Sequence, residues 1–264
     1  MNYSELCEEV IALSAEAASF IREELKKVTS GDIKTKDHNS LVTYVDQTAE
    51  RMIVKRLKEL LPSASFITEE ETVEQTESEQ VWIIDPLDGT TNFLQQIPHF
   101  AVSIALRVAG QLQIGVVYDV MREQCFHAVK GNGAFCDHSA ISVSNSKSLD
   151  EFIIATGFPY SNSLNFKALL NILEYWMRNA RGIRRFGSAA LDLCFVAVGR
   201  LDCYYESTLN VWDVAAGILI VEEAGGKLSD YQGGNNFGKG AEVVASNGHM
   251  HDEIIEAIKK HGIS

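Results

Sequence analysis

The sequence predicts a layered α/β or α+β fold built as one cooperative unit. Three observations carry that expectation. Helical and strand periodicities alternate along the 264 residues, three strand-like segments run together near the middle, and no low-complexity linker or internal repeat interrupts the chain. With 46% hydrophobic residues there is ample material for a packed core.

Residues 4–27 carry Leu6, Val10, Leu13, Ala17, Ile21 and Leu25 at helical spacing, with Asn2 and Glu5 placed to cap the start and Gly31 after the end. A polar loop from Lys34 to Ser40 leads to a second helix, from about Asp46 to Leu61, which Pro62 closes. SFI at 65–67 and VWII at 81–84 are short strands. AVSIALRV (101–108), LQIGVVYDV (112–120) and EQCFHAVK (123–130) form an antiparallel meander. From about residue 150 the alternation resumes. FIIATGF is a strand, 165–179 a helix, IRRFG a strand, SAALDLCFVAVG a helix and LDCYYES a strand. Then come the helix WDVAAGILIVEEAGG, the strands KLSD and EVVASN, and a terminal helix over 251–260.

Bulk composition narrows the function. The formal net charge is −13, so the chain lacks the basic surface through which proteins bind nucleic acid or anionic membranes. Its five cysteines are scattered, with no C-x-x-C pair, which predicts neither a disulfide framework nor a zinc site and favours a reducing cytoplasm. MNYSELCEEV has neither a basic n-region nor an apolar h-region, and no stretch reaches the length of a membrane span.

Several motifs fail in context. GGNNFGKG (233–240) approaches a P-loop, but Gly240 stands where Ser or Thr is required and a strand follows instead of a helix. GNGAF (131–135) lacks the third glycine of a dinucleotide fingerprint. His249-Met250-His251 fits the start of the terminal helix better than a metal site.

What survives is a set of carboxylates. In WIIDPLDGTTNF (82–93) an apolar strand meets Asp85, with Asp88 three residues on and Pro86 between them. A plain surface turn would explain that tetrapeptide by itself. Residues 69–80 hold six Glu, most of them a solvated loop, yet Glu69 follows the SFI strand as Asp85 follows VWII. Neighbouring strands would bring both carboxylates out at one sheet edge. Asp213 interrupts the apolar run LNVWDVAAG at a helix start, as Asp46 does earlier; each, taken singly, is an ordinary first-turn aspartate. Together the five are hard oxygen donors without His or thiolate, a composition that selects Mg²⁺. Gly89-Thr90-Thr91 can open a short helix whose free amides face an anion. The pattern therefore predicts a metal-dependent phosphate site.

DPLDGTTNF (85–93), preceded by Glu69-Glu70 and followed by WDVAAG (212–217), resembles the inositol monophosphatase family of lithium-sensitive, magnesium-dependent phosphatases. LVTYVDQ (41–47), GVVYD (115–119), KGNGAF (130–135), GSAALDLCFVAVGRLDCYYE (187–206) and VEEAGG (221–226) follow in family order, so the resemblance spans nearly the whole chain. It implies a five-layer α-β-α-β-α sandwich, as in sugar phosphatases, forming one catalytic domain over 1–264. Most metal ligands would lie in residues 1–145, and Asp213 with the substrate contacts in 146–264. It implies two or three Mg²⁺ ions on Glu69, Asp85, the Leu87 carbonyl, Asp88 and Asp213. Asp46, Glu69 and Thr90 would be catalytic, and Gly89, Thr90 and Thr91 would bind phosphate. Asp88, Ser188, Ala189, Glu206 and Asp213 would contact the alcohol.

The implied activity is hydrolysis of a small polyol phosphate, inositol monophosphate foremost, by a lithium-sensitive cytoplasmic homodimer that binds neither nucleic acid nor membrane. Fructose bisphosphate, NADP, histidinol phosphate and an adenosine bisphosphate are alternative substrates, and a non-catalytic phosphate-binding protein is the alternative of another class. Three positions depart from the family pattern: Thr68 before the Glu pair, Ser40 ahead of LVT, and Asn210. The first two bear on the third metal and the last on substrate choice.

Overall fold

Period-two alternation sorts the apolar side chains of the central strands onto two opposite faces. In this computed structural model, which describes residues 2–28, 34–37, 40–74, 78–158, 166–239 and 242–261, seven strands form the larger sheet. They are β3 (Ser65–Thr68), β4 (Gln80–Asp88), β5 (Ala101–Val108), β6 (Gln111–Asp119), β7 (Gln124–Val129), β8 (Ala134–Cys136) and β9 (Ser139–Ile141), in that spatial order. β3 and β4 are parallel and every later pair is antiparallel. A separate hairpin joins β1 (Lys34–Asp37) to β2 (Ser40–Val42).

Trp82, Ile84, Val102, Ile104, Ile114 and Val116 face one way, onto helices α1 (Tyr3–Glu24) and α2 (Tyr44–Leu60). Val81, Ile83, Ala105, Val117 and Phe126 face the other way, onto α5 (Ala189–Ala197) and α6 (Val211–Glu223). Helix α6 lies so close to β6 that a Cβ on Gly115 would sit 2.6 Å from the Ala216 carbonyl oxygen.

The second sheet, in the order β11 (Gly182–Arg184), β10 (Ile153–Thr156), β12 (Cys203–Ser207), β14 (Glu242–Ser246) and β13 (Lys227–Ser229), covers the far side of α5 and α6 through Ala155, Tyr204, Val243 and Ala245. Its outer face, with Ile154, Tyr205 and Val244, packs on α4 (Phe166–Asn179) and α7 (His251–Lys260). The order helix, sheet, helix, sheet, helix is the five-layer sandwich the sequence led us to expect. Among the described residues no helix is long and apolar enough to cross a membrane.

Several boundaries differ from expectation. Helix α1 ends at Glu24, and Gly31 lies outside the described residues. Helices α2 and α6 start at Tyr44 and Val211, so Asp46 and Asp213 occupy the third helical position instead of the first. Thr43 and Asn210 take the N-cap, and each aspartate reaches back to the N-cap amide: Thr43 N donates to Asp46 Oδ2 at 2.9 Å and Asn210 N to Asp213 Oδ2 at 2.6 Å. The polar loop from Lys34 contributes the β1–β2 hairpin, and β8 and β9 extend the meander beyond its expected end.

Strand β4 does not stop at Asp85. Asp85 pairs with Ser103 and Asp88 with Ala101, so three steps on β4 match two on β5. This bulge accommodates Pro86, which has no amide to give a ladder. Because Ser103 and Ala101 are two apart they share a face, and the extra residue turns both aspartates onto that face as well.

Candidate active site

The face shared by Asp85 and Asp88 is the one that α5 and α6 cover. Glu69 reaches the same sheet edge from β3, its amide donating to the Ile84 carbonyl at 3.2 Å in continuation of the Thr68–Ile84 register. The expected juxtaposition of Glu69 and Asp85 is thus present. α6 delivers Asp213 from its first turn. A cleft of about 270 Å³ opens here, lined by Glu69, Asp88, Gly89, Thr90, Glu206 and Asp213 among others.

Each side chain has a local reason for its place. Asp85 Oδ1 accepts from the Leu87 amide at 2.9 Å, an Asx turn that stiffens the bulge. Gly89 follows with φ +96°, and a Cβ there would crowd the His99 and Gly187 carbonyl oxygens at 3.1 and 3.2 Å. The five-residue helix α3 (Thr90–Leu94) then begins. Thr90 Oγ1 lies 3.1 Å from the Leu87 carbonyl and 3.3 Å from Asp46 Oδ1, while Thr43 Oγ1 donates to Asp46 Oδ2 at 2.7 Å. Asn92, in the same motif, donates to the carbonyls of His99 and Phe186 at 2.8 Å each, fixing the approach to α5.

Ser188 caps α5, and its hydroxyl donates to Asp88 Oδ2 at 2.6 Å beside the Ala190 amide at 2.8 Å. Ser188 is buried and faces Asp88; its neighbour Ala189 lines the open cleft. Glu206, next to last in β12, accepts from the buried Tyr204 hydroxyl at 2.6 Å.

Electrostatics distinguish this arrangement from a surface turn. Burial, and then the charges of Glu69, Asp88 and Asp213, push Asp85 well above the usual carboxylate range. Burial lifts Asp88 to about 6 against the hydrogen bonds from Ser188, Ala190 and Ala189, and it lifts Glu206 to about 7 against the Tyr204 hydroxyl. Asp213 and Asp46 are raised by burial as well, each opposed by its capping hydrogen bond. Among the described residues no three His, Cys, Asp or Glu side chains are already drawn into a metal cage. The donor chemistry nevertheless fits a hard divalent cation: clustered, buried carboxylates resist ionising together unless positive charge lies between them. Mg²⁺ takes few protein oxygens and keeps waters, so a preformed all-protein cage is not what it requires.

The structure thus gathers Asp46, Glu69, Asp85, Leu87, Asp88, Gly89, Thr90, Thr91, Ser188, Ala189, Glu206 and Asp213 around one cleft. Sequence reasoning missed Arg185, Gly187 and Asn92, which also line it, and Asp192, buried behind Glu206 and Asp88. Arg185 had one readable signal, as a cation one residue short of the GSAALD segment, with Phe186 between them.

Comparison with known proteins shows what the chain as a whole is similar to. A family model described as the inositol monophosphatase family matches residues 2–262. Nus factor SuhB of Escherichia coli K12 is 39% identical over 259 residues, covering 95% of this chain and 97% of its own. The extragenic suppressor protein suhB of Bartonella henselae is 37% identical, with a TM-score of 0.92 over 98% of this chain and 100% of its own. SaIMPase-II, solved with inositol monophosphate bound, is 28% identical, with a TM-score of 0.80 over 97% of this chain and 95% of its own.

Proposed function

The chain belongs to the inositol monophosphatase family, and on that premise we propose that it is a Mg²⁺-dependent phosphomonoesterase acting on a small polyol phosphate, with inositol monophosphate the leading substrate. The observation that carries this reading is the convergence of Glu69, Asp85 and Asp88, from one edge of the larger sheet, with Asp213 of α6, on the cleft beside α3.

Glu69, Asp85, the Leu87 carbonyl, Asp88 and Asp213 would hold two or three Mg²⁺ ions, whose chemistry is to acidify water and neutralise charge on the departing oxygen. The rest falls to the chain itself. The Gly89, Thr90 and Thr91 amides orient the phosphate. Thr90 hydrogen-bonds the attacking water and relays toward Asp46, which its hydroxyl already meets. Water oxygen joins phosphorus, the bond from phosphorus to the alcohol oxygen breaks, and that oxygen leaves as the free alcohol after taking a proton. Glu206 accepts hydrogen bonds from the polyol hydroxyls, and Asp88, Asp213 and Ala189 bound the same space.

The same reading includes inhibition by lithium among Asp85, Asp88 and Asp213, residence in the cytoplasm, and no contact with nucleic acid, for which the −13 charge speaks. The name Nus factor belongs to the E. coli relative. A homodimer is supported by α4, where Phe166, Leu170 and Met177 are 50%, 64% and 75% exposed along one face.

The test is phosphate release from inositol monophosphate by metal-stripped protein, with and without added Mg²⁺. Turnover should require Mg²⁺ and fall at least about a hundredfold in Asp88→Asn and Asp213→Asn. Both variants should melt at or above the wild-type apoprotein temperature, because one of several repelling charges is gone. No Mg²⁺-dependent release from any ester in a panel of small phosphates would overturn the assignment.

A further inference from the structure

A second and larger cavity, of about 600 Å³, runs along α6 away from the carboxylate cleft. Val211, Ala215, Ile218 and Glu222 line it from α6, at the spacing of one helical face. Asp213, two residues from Val211, is turned roughly 200° around the helix from it. The floor is Val81 and Ile83 of β4, and Phe237 closes one side. This volume lies in the range of small-ligand sites, roughly 300–1,000 Å³, and its lining combines eight apolar side chains with six polar or charged ones.

The decisive group is Arg107. It pairs with Val81 across β4 and β5, so its side chain emerges on the α6 side of the sheet, at the cavity. It is half-buried, and among the described residues its guanidinium makes no hydrogen bond or ion pair. The other charges around the cavity are differently disposed. Lys130 donates to Gln111 Oε1 at 3.0 Å and acts on the charge of Glu222, and Glu79 is exposed at the edge. A partly desolvated guanidinium without a carboxylate is costly, and its planar fork of donors matches a carboxylate, sulfonate or phosphate.

We propose that this cavity is a binding site for a small amphipathic anion, with the apolar body against Val81, Ile83 and Ile218 and the charged head on Arg107. The site touches two of the elements that carry cleft carboxylates, β4 and α6, yet shares no lining residue with the cleft.

The probe is 1-anilinonaphthalene-8-sulfonate, with neutral N-phenyl-1-naphthylamine as its uncharged counterpart, followed by fluorescence titration of the full chain. The sulfonate should bind saturably at one per chain, and excess inositol monophosphate should not displace it. Arg107→Gln should weaken the sulfonate about tenfold and leave the neutral amine unchanged, as loss of one charge-assisted hydrogen-bonded head predicts. Phe237→Ala should weaken both probes, and Leu170→Glu, on the exposed face of α4, should weaken neither. Each variant is checked for an unchanged melting temperature, and Arg107→Lys serves as the milder variant if Arg107→Gln melts early. Non-saturable binding, equal binding to Arg107→Gln at intact stability, displacement by inositol monophosphate, or loss in Leu170→Glu would each overturn the proposal.

Discussion

Glu206 owes its position to a missing methyl group. An ideal Cβ on Gly157, at the end of β10, would fall 1.8 Å from the Glu206 carboxyl carbon, so only glycine leaves room for that side chain. Tyr204 holds the carboxylate from the other side. Gly157→Ala should therefore reproduce Glu206→Gln without touching the carboxylate. Both should raise KM for inositol monophosphate at least about tenfold, the loss expected for a charge-assisted hydrogen bond, and change kcat/KM for a simple aryl phosphate by less than threefold. Equal losses on both substrates in steady-state assays would remove Glu206 from polyol recognition. At this scale the sequence was most informative about the cleft carboxylates and least about their supports. Asp85, Asp88, Glu69 and Asp213 are legible because hard oxygens at strand ends and helix starts carry chemical meaning by themselves. Gly157, Tyr204 and Asp192 are ordinary in sequence and acquire a role only from which strand lies beside which.

Elements meet through equally specific contacts. Helix α7 begins at His251, whose ring lies 2.8 Å from Ser246 Oγ of β14 through Nδ1 and 2.9 Å from Ser229 Oγ of β13 through Nε2. The HxH motif is therefore a docking pin, in keeping with its expected place at the helix start. Burial, reinforced by Lys227, lowers this imidazole from its ordinary value near 6.5 to about 4. The unfolded chain thus takes up the proton first as pH falls. The His251 contribution to stability is complete above about pH 6.5 and is lost progressively toward pH 4. The urea midpoint of His251→Gln should vary less with pH over that window than that of wild type, whereas parallel curves would show that His251 does not titrate as described. Buried His99, also lowered to about 4, leaves a residual slope in the variant.

Element boundaries show where propensity misleads. Asp46 and Asp213 look like the first residues of their helices, but each is the third, reaching back to an N-cap three positions earlier. Pro86 looks like a strand terminator, but a bulge carries β4 past it. β8 and β9 are three residues each, too short for their alternation to stand out from loop.

At the scale of the molecule, the layering was legible because alternating strands and amphipathic helices leave few ways to bury two sheets. The cleft was not, since it exists only where layers meet. Asp46 belongs to the first helical layer, Glu69, Asp85 and Asp88 to the edge of the larger sheet, and Asp213 to the middle helices. The ends of that set are separated by most of the chain, and such long-range contacts form late in folding. Mg²⁺ should therefore slow unfolding in denaturant while leaving the refolding rate nearly unchanged, since an interaction absent from the transition state acts on the unfolding limb alone. Stopped-flow refolding that accelerates with Mg²⁺ as much as unfolding slows would show that the carboxylates assemble early.

The bulge at Pro86 adds a consequence for the life of the protein in the cell. A chain still being synthesised would present Glu69, Asp85 and Asp88 long before Asp213 has been made, an acidic edge with no partner to complete it. Cation capture, and with it any hydrolysis, would then be postponed until α6 has docked. The ion would act as a latch on a finished molecule and not as a template for an unfinished one.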